Sequence, residues 1–166
     1  MRHFGADEEA QMLEMYDRDG SFAHLDAFAE GASARLRVPT ECSIIVRQVH
    51  LLRYAASSGE RAAHCDKVEI AAGEGPCVTA IQQLRGELVL DVAADERWPA
   101  WRSAALDRGF RSAAALPAIV DADTTVALNL YSEALDPWER DALVGMDRYV
   151  QEIAEAIRTR GITPAP

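Results

Sequence analysis

The sequence predicts an α+β domain, an antiparallel sheet of about five to six strands flanked by helices, on three observations. Short β-branched runs are interleaved with segments of helical period, turn signals join neighbouring strands, and a long amphipathic stripe closes the chain. The order is helix, helix, strand, strand, helix, strand, helix, strand, strand, helix, which suits hairpin-connected strands with helices laid on the sheet.

Each element has its own warrant. Asp7 can cap a helix running to about Arg18, with Met12, Leu13, Met15 and Tyr16 on an apolar side, until Asp19 and Gly20 break it. Ser21 can cap a second, in which Phe22, Leu25, Phe28, Ala29, Ala32 and Leu36 recur at three- and four-residue steps up to Pro39. Residues 42–46 and 51–55 are apolar, β-rich runs separated by a short polar interruption, which predicts an antiparallel hairpin. The polar stretch opened by Ser57, Ser58 and Gly59 and running to about Val68 reads as the least structured segment, a mobile lid.

Gly73, Gly75 and Pro76 then make a turn into a helix reaching Leu84, since proline in the first helical position loses nothing by its missing N–H. Residues 87–91 alternate like a strand, Pro99 starts a helix that Gly109 stops, and 111–120 and 125–132 are two strands joined across the turn-prone 121–123. The last helix is expected to start with Asp136 as cap, Pro137 in first position and Glu139 in third. Its apolar stripe is Ala142, Met146, Tyr149, Val150, Ile153, Ala154 and Ile157.

Composition narrows the function. The 166 residues, 49% hydrophobic, suffice for one well-packed domain with flanking helices. A net charge of −10 without any polybasic run lacks the footprint that phosphate backbones demand, so no direct nucleic-acid partner is expected. No apolar stretch approaches the roughly 20 residues of a membrane span, and the acidic Asp7, Glu8 and Glu9 are unlike a signal peptide. The expected location is cytoplasmic, with Cys42, Cys65 and Cys77 as free thiols.

Several motifs in fixed order carry a resemblance: Ser57 and Ser58; Gly73, Glu74, Gly75, Pro76 and Cys77; Asp91 and Asp95; Arg97, Trp98 and Pro99; Phe110, Arg111 and Ser112; Pro117; Leu128 to Ser132; and Trp138. Over residues 20–160 the chain resembles a GAF domain of the kind often fused to an ANTAR segment. The ANTAR helices are not expected within this chain, nor is an antiterminator role. The resemblance implies an open antiparallel sheet with a small-molecule pocket on one face, and homodimerisation through the terminal helices on the other. Domain organisation follows as residues 1–19, an N-terminal helix and candidate dimerisation segment; 20–160, the sensor domain; and 161–166, a tail. The implied role is a ligand-binding regulator in signal transduction or transcriptional control, with a protein signalling partner downstream.

The candidate ligand-binding residues are Cys77, Asp91, Trp98, Trp101, Ser112 and Asn129. Cys77 sits at a helix start, where the macrodipole favours a thiolate, against the competing reading of a small apolar residue packed under the turn. Trp98 and Trp101, three apart, can stack on a planar ligand or fill core. Asp91, Ser112 and Asn129 are polar groups in apolar strands, each in need of a partner. Arg97 can pair with Asp91 or Asp95. Cys42 reads as core and Cys65 as exposed in its polar loop.

No metal or haem site is expected, since His64, Cys65 and Asp66 are sequence neighbours without further ligands. No cofactor is evident, and no G-x-S-x-G, H-E-x-x-H or C-x-x-C supplies a complete catalytic constellation. The competing function is a thiol-based redox sensor, or an enzyme like the free methionine-R-sulfoxide reductases, centred on Cys77. Those GAF enzymes are similar in carrying a cysteine after a glycine-rich turn, but their catalytic cysteine lies later, and this chain has none after position 77. The third reading is a dimerisation scaffold with a closed pocket.

Overall fold

The computed structural model describes residues 22–160. The helix expected over 7–18 and the tail 161–166 lie outside the described residues. A 3₁₀ turn, Ala23–Leu25, leads into α1 (Asp26–Ala34), followed by β1 (Glu41–Gln48), β2 (Leu51–Ser57), α2 (Glu60–Ala72), α3 (Pro76–Gln83) and β3 (Glu87–Val89). After a second 3₁₀ turn, Val92–Ala94, come α4 (Pro99–Asp107), β4 (Ser112–Ile119), β5 (Thr124–Ser132) and α5 (Arg140–Arg160). The strands pair antiparallel throughout in the order β2-β1-β5-β4-β3. This is the α+β architecture the sequence predicts.

Strand alternation sorts side chains onto two faces. One face carries Cys42, Ile44, Val46, Leu116, Val126, Leu128 and Leu130, packed with α1 and the α5 residues Met146, Tyr149, Val150, Ile153, Ala154 and Ile157. The α5 stripe was legible in its period, and burial of each large aliphatic chain is worth about 1.5–3 kcal/mol. The opposite face is floored by smaller groups. In β4 and β5, Ala113, Ala115 and Ala127 face α2, α3 and α4, and the register sets Ser43 opposite Asn129 and Asn129 opposite Ala115. That row of short side chains leaves depth for groups descending from the helices.

Three expectations are corrected. Residues 57–68 are not a lid: they complete β2 and form most of α2, which ends at Gly73 in the left-handed region (φ 70°), where its N–H reaches Glu69 O at 3.0 Å. Composition hid this helix because its buried stripe, Ala62, Cys65, Asp66 and Glu69, is half acidic. Cys65 is accordingly fully buried rather than exposed. Asp136 does not cap the last helix, because its φ of 44° is left-handed whereas a capping residue needs extended backbone; α5 begins at Arg140. Trp138 instead turns inward, its indole N–H donating to Thr40 Oγ1 at 3.1 Å. Of the two partners expected for Arg97, Asp95 is the one it binds, at 2.7 Å, and Glu87 joins them at 2.5 Å.

Candidate functional site

The helix-covered, small-residue face holds a buried polar cluster. Asp66 and Glu69, one turn apart on α2, are 0% and 1% exposed, and they meet Ser43 of β1, Asn129 and Tyr131 of β5 and the first turn of α3. Asp66 accepts from Tyr131 Oη at 2.9 Å and from Asn129 Nδ2 at 3.3 Å to both oxygens. Trp101 Nε1 donates in turn to Tyr131 Oη at 3.2 Å, so a chain of hydrogen bonds runs from α4 through β5 to α2. Ser43 faces Asp66, but its Oγ falls short of an ordinary hydrogen bond.

Glu69 closes the start of α3. Its Oε2 accepts from the backbone N–H of Cys77 at 2.7 Å and of Val78 at 3.1 Å, satisfying donors that a helix start leaves open. Gly75 is needed here, since a Cβ at that position would strike the Glu69 carboxylate. Glu69 Oε1, Ser43 Oγ and Asn129 Oδ1 remain buried without a partner.

Burial governs ionisation in this interior. Desolvation pushes Asp66 up to about 7, opposed by the Ser43 hydroxyl that faces it and by the hydrogen bonds from Tyr131 and Asn129. Glu69 is raised well above the usual carboxylate range by desolvation and then by the nearby Asp66, against the pull of the Val78 and Cys77 amides. Two carboxylates so close in a dry site do not both ionise readily, so the pair retains a proton that an isolated carboxylate would lose.

The six candidate residues divide between this cluster and local structure. Asn129 and Cys77 belong to the cluster, and Trp101 joins it through Tyr131. Trp98, which precedes α4 rather than lying within it, packs edge-on to Trp101 at 6.0 Å and carries the Arg97 guanidinium over its ring at 4.1 Å. Asp91 caps the Val92–Ala94 turn by accepting from Ala93 N–H at 3.1 Å, and Ser112 donates to Ala134 O at 2.7 Å. Both thus have backbone mates.

Cys77 is 1% exposed, and burial with Glu69 and Asp66 nearby holds its thiol well above the usual range. Of the two readings of Cys77, this burial fits the small residue packed under the turn, and the Glu69 carboxylate occupies the helix start that would favour a thiolate. Cys42 and Cys65 are likewise pushed up to about 12 by burial. Among the described residues no group of His, Cys, Asp or Glu is placed to hold a metal ion.

Sequence reasoning passed over Glu69 and Ser43, weighed Asp66 only as a metal ligand and carried Tyr131 only within a family motif. One signal was available, because positions 62, 65, 66 and 69 follow helical spacing once acidic residues are allowed on the stripe.

Two surface hollows differ in relevance. The larger, about 460 Å³, lies between the end of α1 and the start of α5, lined by Arg35, Arg37, Trp138 and Asp141 among others, away from every candidate residue. The smaller, about 210 Å³, is lined by Glu41, Arg61, Phe110, Tyr131 and Glu133 with Ser33, Pro39 and Thr40. Tyr131 stands between this cleft and Asp66. Arg61 spans its acidic rim, bound to Glu41 at 2.6 Å and Glu133 at 2.9 Å.

Comparison with known proteins places this geometry in context. Among solved structures the chain is similar to the GAF domain region of a putative membrane protein from Geobacter sulfurreducens PCA, at 18% identity and TM-score 0.64 over 84% of this chain and 93% of that one. It is similar to a domain of a putative two-component sensor histidine kinase protein from Sinorhizobium meliloti 1021, at 14% identity and TM-score 0.68, covering 83% and 92%. It is also similar to the type II free methionine-R-sulfoxide reductase of Thermoplasma acidophilum, at 14% identity and TM-score 0.62, covering 84% and 90%. At these identities the likeness is one of fold. No curated protein matches the chain in sequence. The family model described as "GAF domain" matches residues 10–158.

Proposed function

From the premise that this chain belongs to the GAF domain family, a ligand-binding regulatory fold, we propose that it is a homodimeric small-molecule sensor in signal transduction or transcriptional regulation. The observation that carries this reading is the buried, incompletely satisfied polar cluster on a sheet face floored by alanines. Stability alone does not favour such a cluster, since each unpaired buried polar group costs about 1–3 kcal/mol, and binding sites are where such cost is usually tolerated. Asn129, Cys77 and Trp101 are the candidate residues nearest the ligand, while Asp91, Trp98 and Ser112 shape the surrounding loops.

The output would pass through the terminal helices. A ligand shifts an equilibrium only by its differential affinity for two arrangements, so it must favour one packing of α2 and α3 on the sheet. The sensor domain, residues 20–160, would relay this to a partner copy through α5 and the segment 1–19, and thence to a protein partner. Among the described residues no helix is long and apolar enough to cross a membrane, and a cytoplasmic location fits this role.

The test is a thermal-shift screen of the full chain against nucleotides, amino acids, small amines, aromatic acids and fatty acids, with light scattering for oligomeric state. A ligand class that raises Tm, together with a dimer at micromolar concentration, is expected. A monomer that responds to none of them would overturn the sensor.

The likeness to a methionine-R-sulfoxide reductase favours a second reading, thiol chemistry at Cys77. That reading needs an accessible thiolate, whereas the side chain is buried and its environment retains the proton. A peroxide response lost in Cys77→Ser would revive it.

A further inference from the structure

Three buried oxygens from three elements lack partners, Glu69 Oε1 of α2, Ser43 Oγ of β1 and Asn129 Oδ1 of β5, and all three can accept once the carboxylates are ionised. Two carboxylates lie among them, and no basic side chain shapes the ionisation of either. The donors already present, Tyr131 Oη, Asn129 Nδ2 and the two α3 amides, are committed to the remaining carboxylate oxygens.

We propose that this cluster recognises a small ligand through a primary ammonium group, with Asp66 and Glu69 as counter-charges and Ser43 and Asn129 as further acceptors. The inference rests on the sensor reading and names its ligand class. A primary ammonium brings three N–H donors and no acceptor, one for each unpartnered atom, and a positive charge that anionic ligands lack. Both surface hollows lie outside the cluster, neither being lined by Ser43, Asp66, Glu69 or Asn129, so a ligand that reaches these buried atoms is an amine of a few heavy atoms rather than a nucleotide.

Binding exchanges one positive charge for another. Without ligand, the Asp66–Glu69 pair retains a proton; the arriving ammonium stabilises both carboxylates, and that proton leaves to the buffer. Affinity therefore rises with pH as long as the pair is protonated in the free protein and the amine remains charged, by up to about tenfold per pH unit for each proton released.

The experiment is calorimetric titration and thermal shift of the full chain with methylammonium and ethanolamine, against tetramethylammonium and acetate as controls, between pH 6 and 8. The expected result is a Tm rise with the two primary amines alone, affinity increasing with pH, and net proton release when two buffers of different ionisation heat are compared. Glu69→Gln, which keeps an oxygen for the α3 amides, should lower proton release to what Asp66 alone supplies and weaken binding about ten- to a hundredfold, the worth of a charge-assisted hydrogen bond. Ser43→Ala, a milder change, should weaken binding without altering proton release. An equal response to tetramethylammonium overturns N–H recognition. If nucleotides or carboxylic acids shift Tm and amines do not, the ligand class is wrong while the sensor stands; if nothing shifts Tm, both fall.

Discussion

The two faces of the sheet are packed by opposite means. Against α1 and α5 the strands present Ile44, Val46, Leu116, Leu128 and Leu130, and the layer is held by aliphatic interlock. Against α2 and α3 they present Ser43, Ala115, Ala127 and Asn129, and the space is filled by two acids descending from a helix. Ionisation inside the first layer is not at issue, whereas the second changes its energy with every proton. The lesson is that one face builds the domain and the other can respond to what enters it.

The sharpest break of this contrast is a cavity on the dry side. Ile153→Ala should cost about 2–5 kcal/mol, read by urea unfolding, with the same loss at pH 5 and pH 8 because no titrating group is involved.

Next in size is the wet side. Asp66 is raised in the folded state to about 7 from an ordinary value of 3.8. The folded state thus holds the proton more tightly, and its contribution is fully present below about pH 4 and is lost as pH rises towards about 7. Glu69, raised well above its usual range, acts in the same sense. His24 and His64, both lowered, chiefly by burial, act in the opposite sense near neutrality, so the measurement is a difference. Asp66→Asn should gain stability relative to the parent between pH 5 and 8, on the order of 2–3 kcal/mol, and Glu69→Gln should change in the same direction. A flat difference would remove the contrast between the faces.

Gly75→Ala should cost about 1–3 kcal/mol by forcing a methyl against the Glu69 carboxylate. In a Glu69→Ala background the same change should cost much less, the coupling marking direct contact. Trp138→Phe, which removes the bond to Thr40, should cost about 1 kcal/mol. Smallest is Arg61→Ala at the cleft rim, where the guanidinium side chain is 39% exposed and the pair is worth about 0–1 kcal/mol; thermal unfolding should barely move.

Most of the framework was readable before any coordinates. Pro76 and Pro99 start their helices as expected, Asp121 and Asp123 make the turn between β4 and β5, and the α5 stripe is buried as its period requires. The site was less readable. Asn129 and Cys77 stood out as polar or reactive groups in apolar surroundings, yet the acids that meet them did not, because Asp and Glu on a polar-looking helix are ordinarily assigned to solvent. Asp136 misled for a related reason: a capping pattern in sequence requires extended backbone, and the chain bends the other way there so that Trp138 can reach Thr40.

What the sequence by itself determined is local: which segments extend, which coil, where they stop, and which strand positions are short or bulky. Only the tertiary structure decided that α2 turns Asp66 and Glu69 inward. The rotation of a helix about its axis is set by everything it packs against, and here Ala62, Cys65, the alanine floor and the open amides of α3 together outweigh the cost of burying two acids. That balance depends on β1 and β5 pairing across some eighty residues of chain, Ser43 against Asn129, a neighbourhood that does not exist until the sheet has formed.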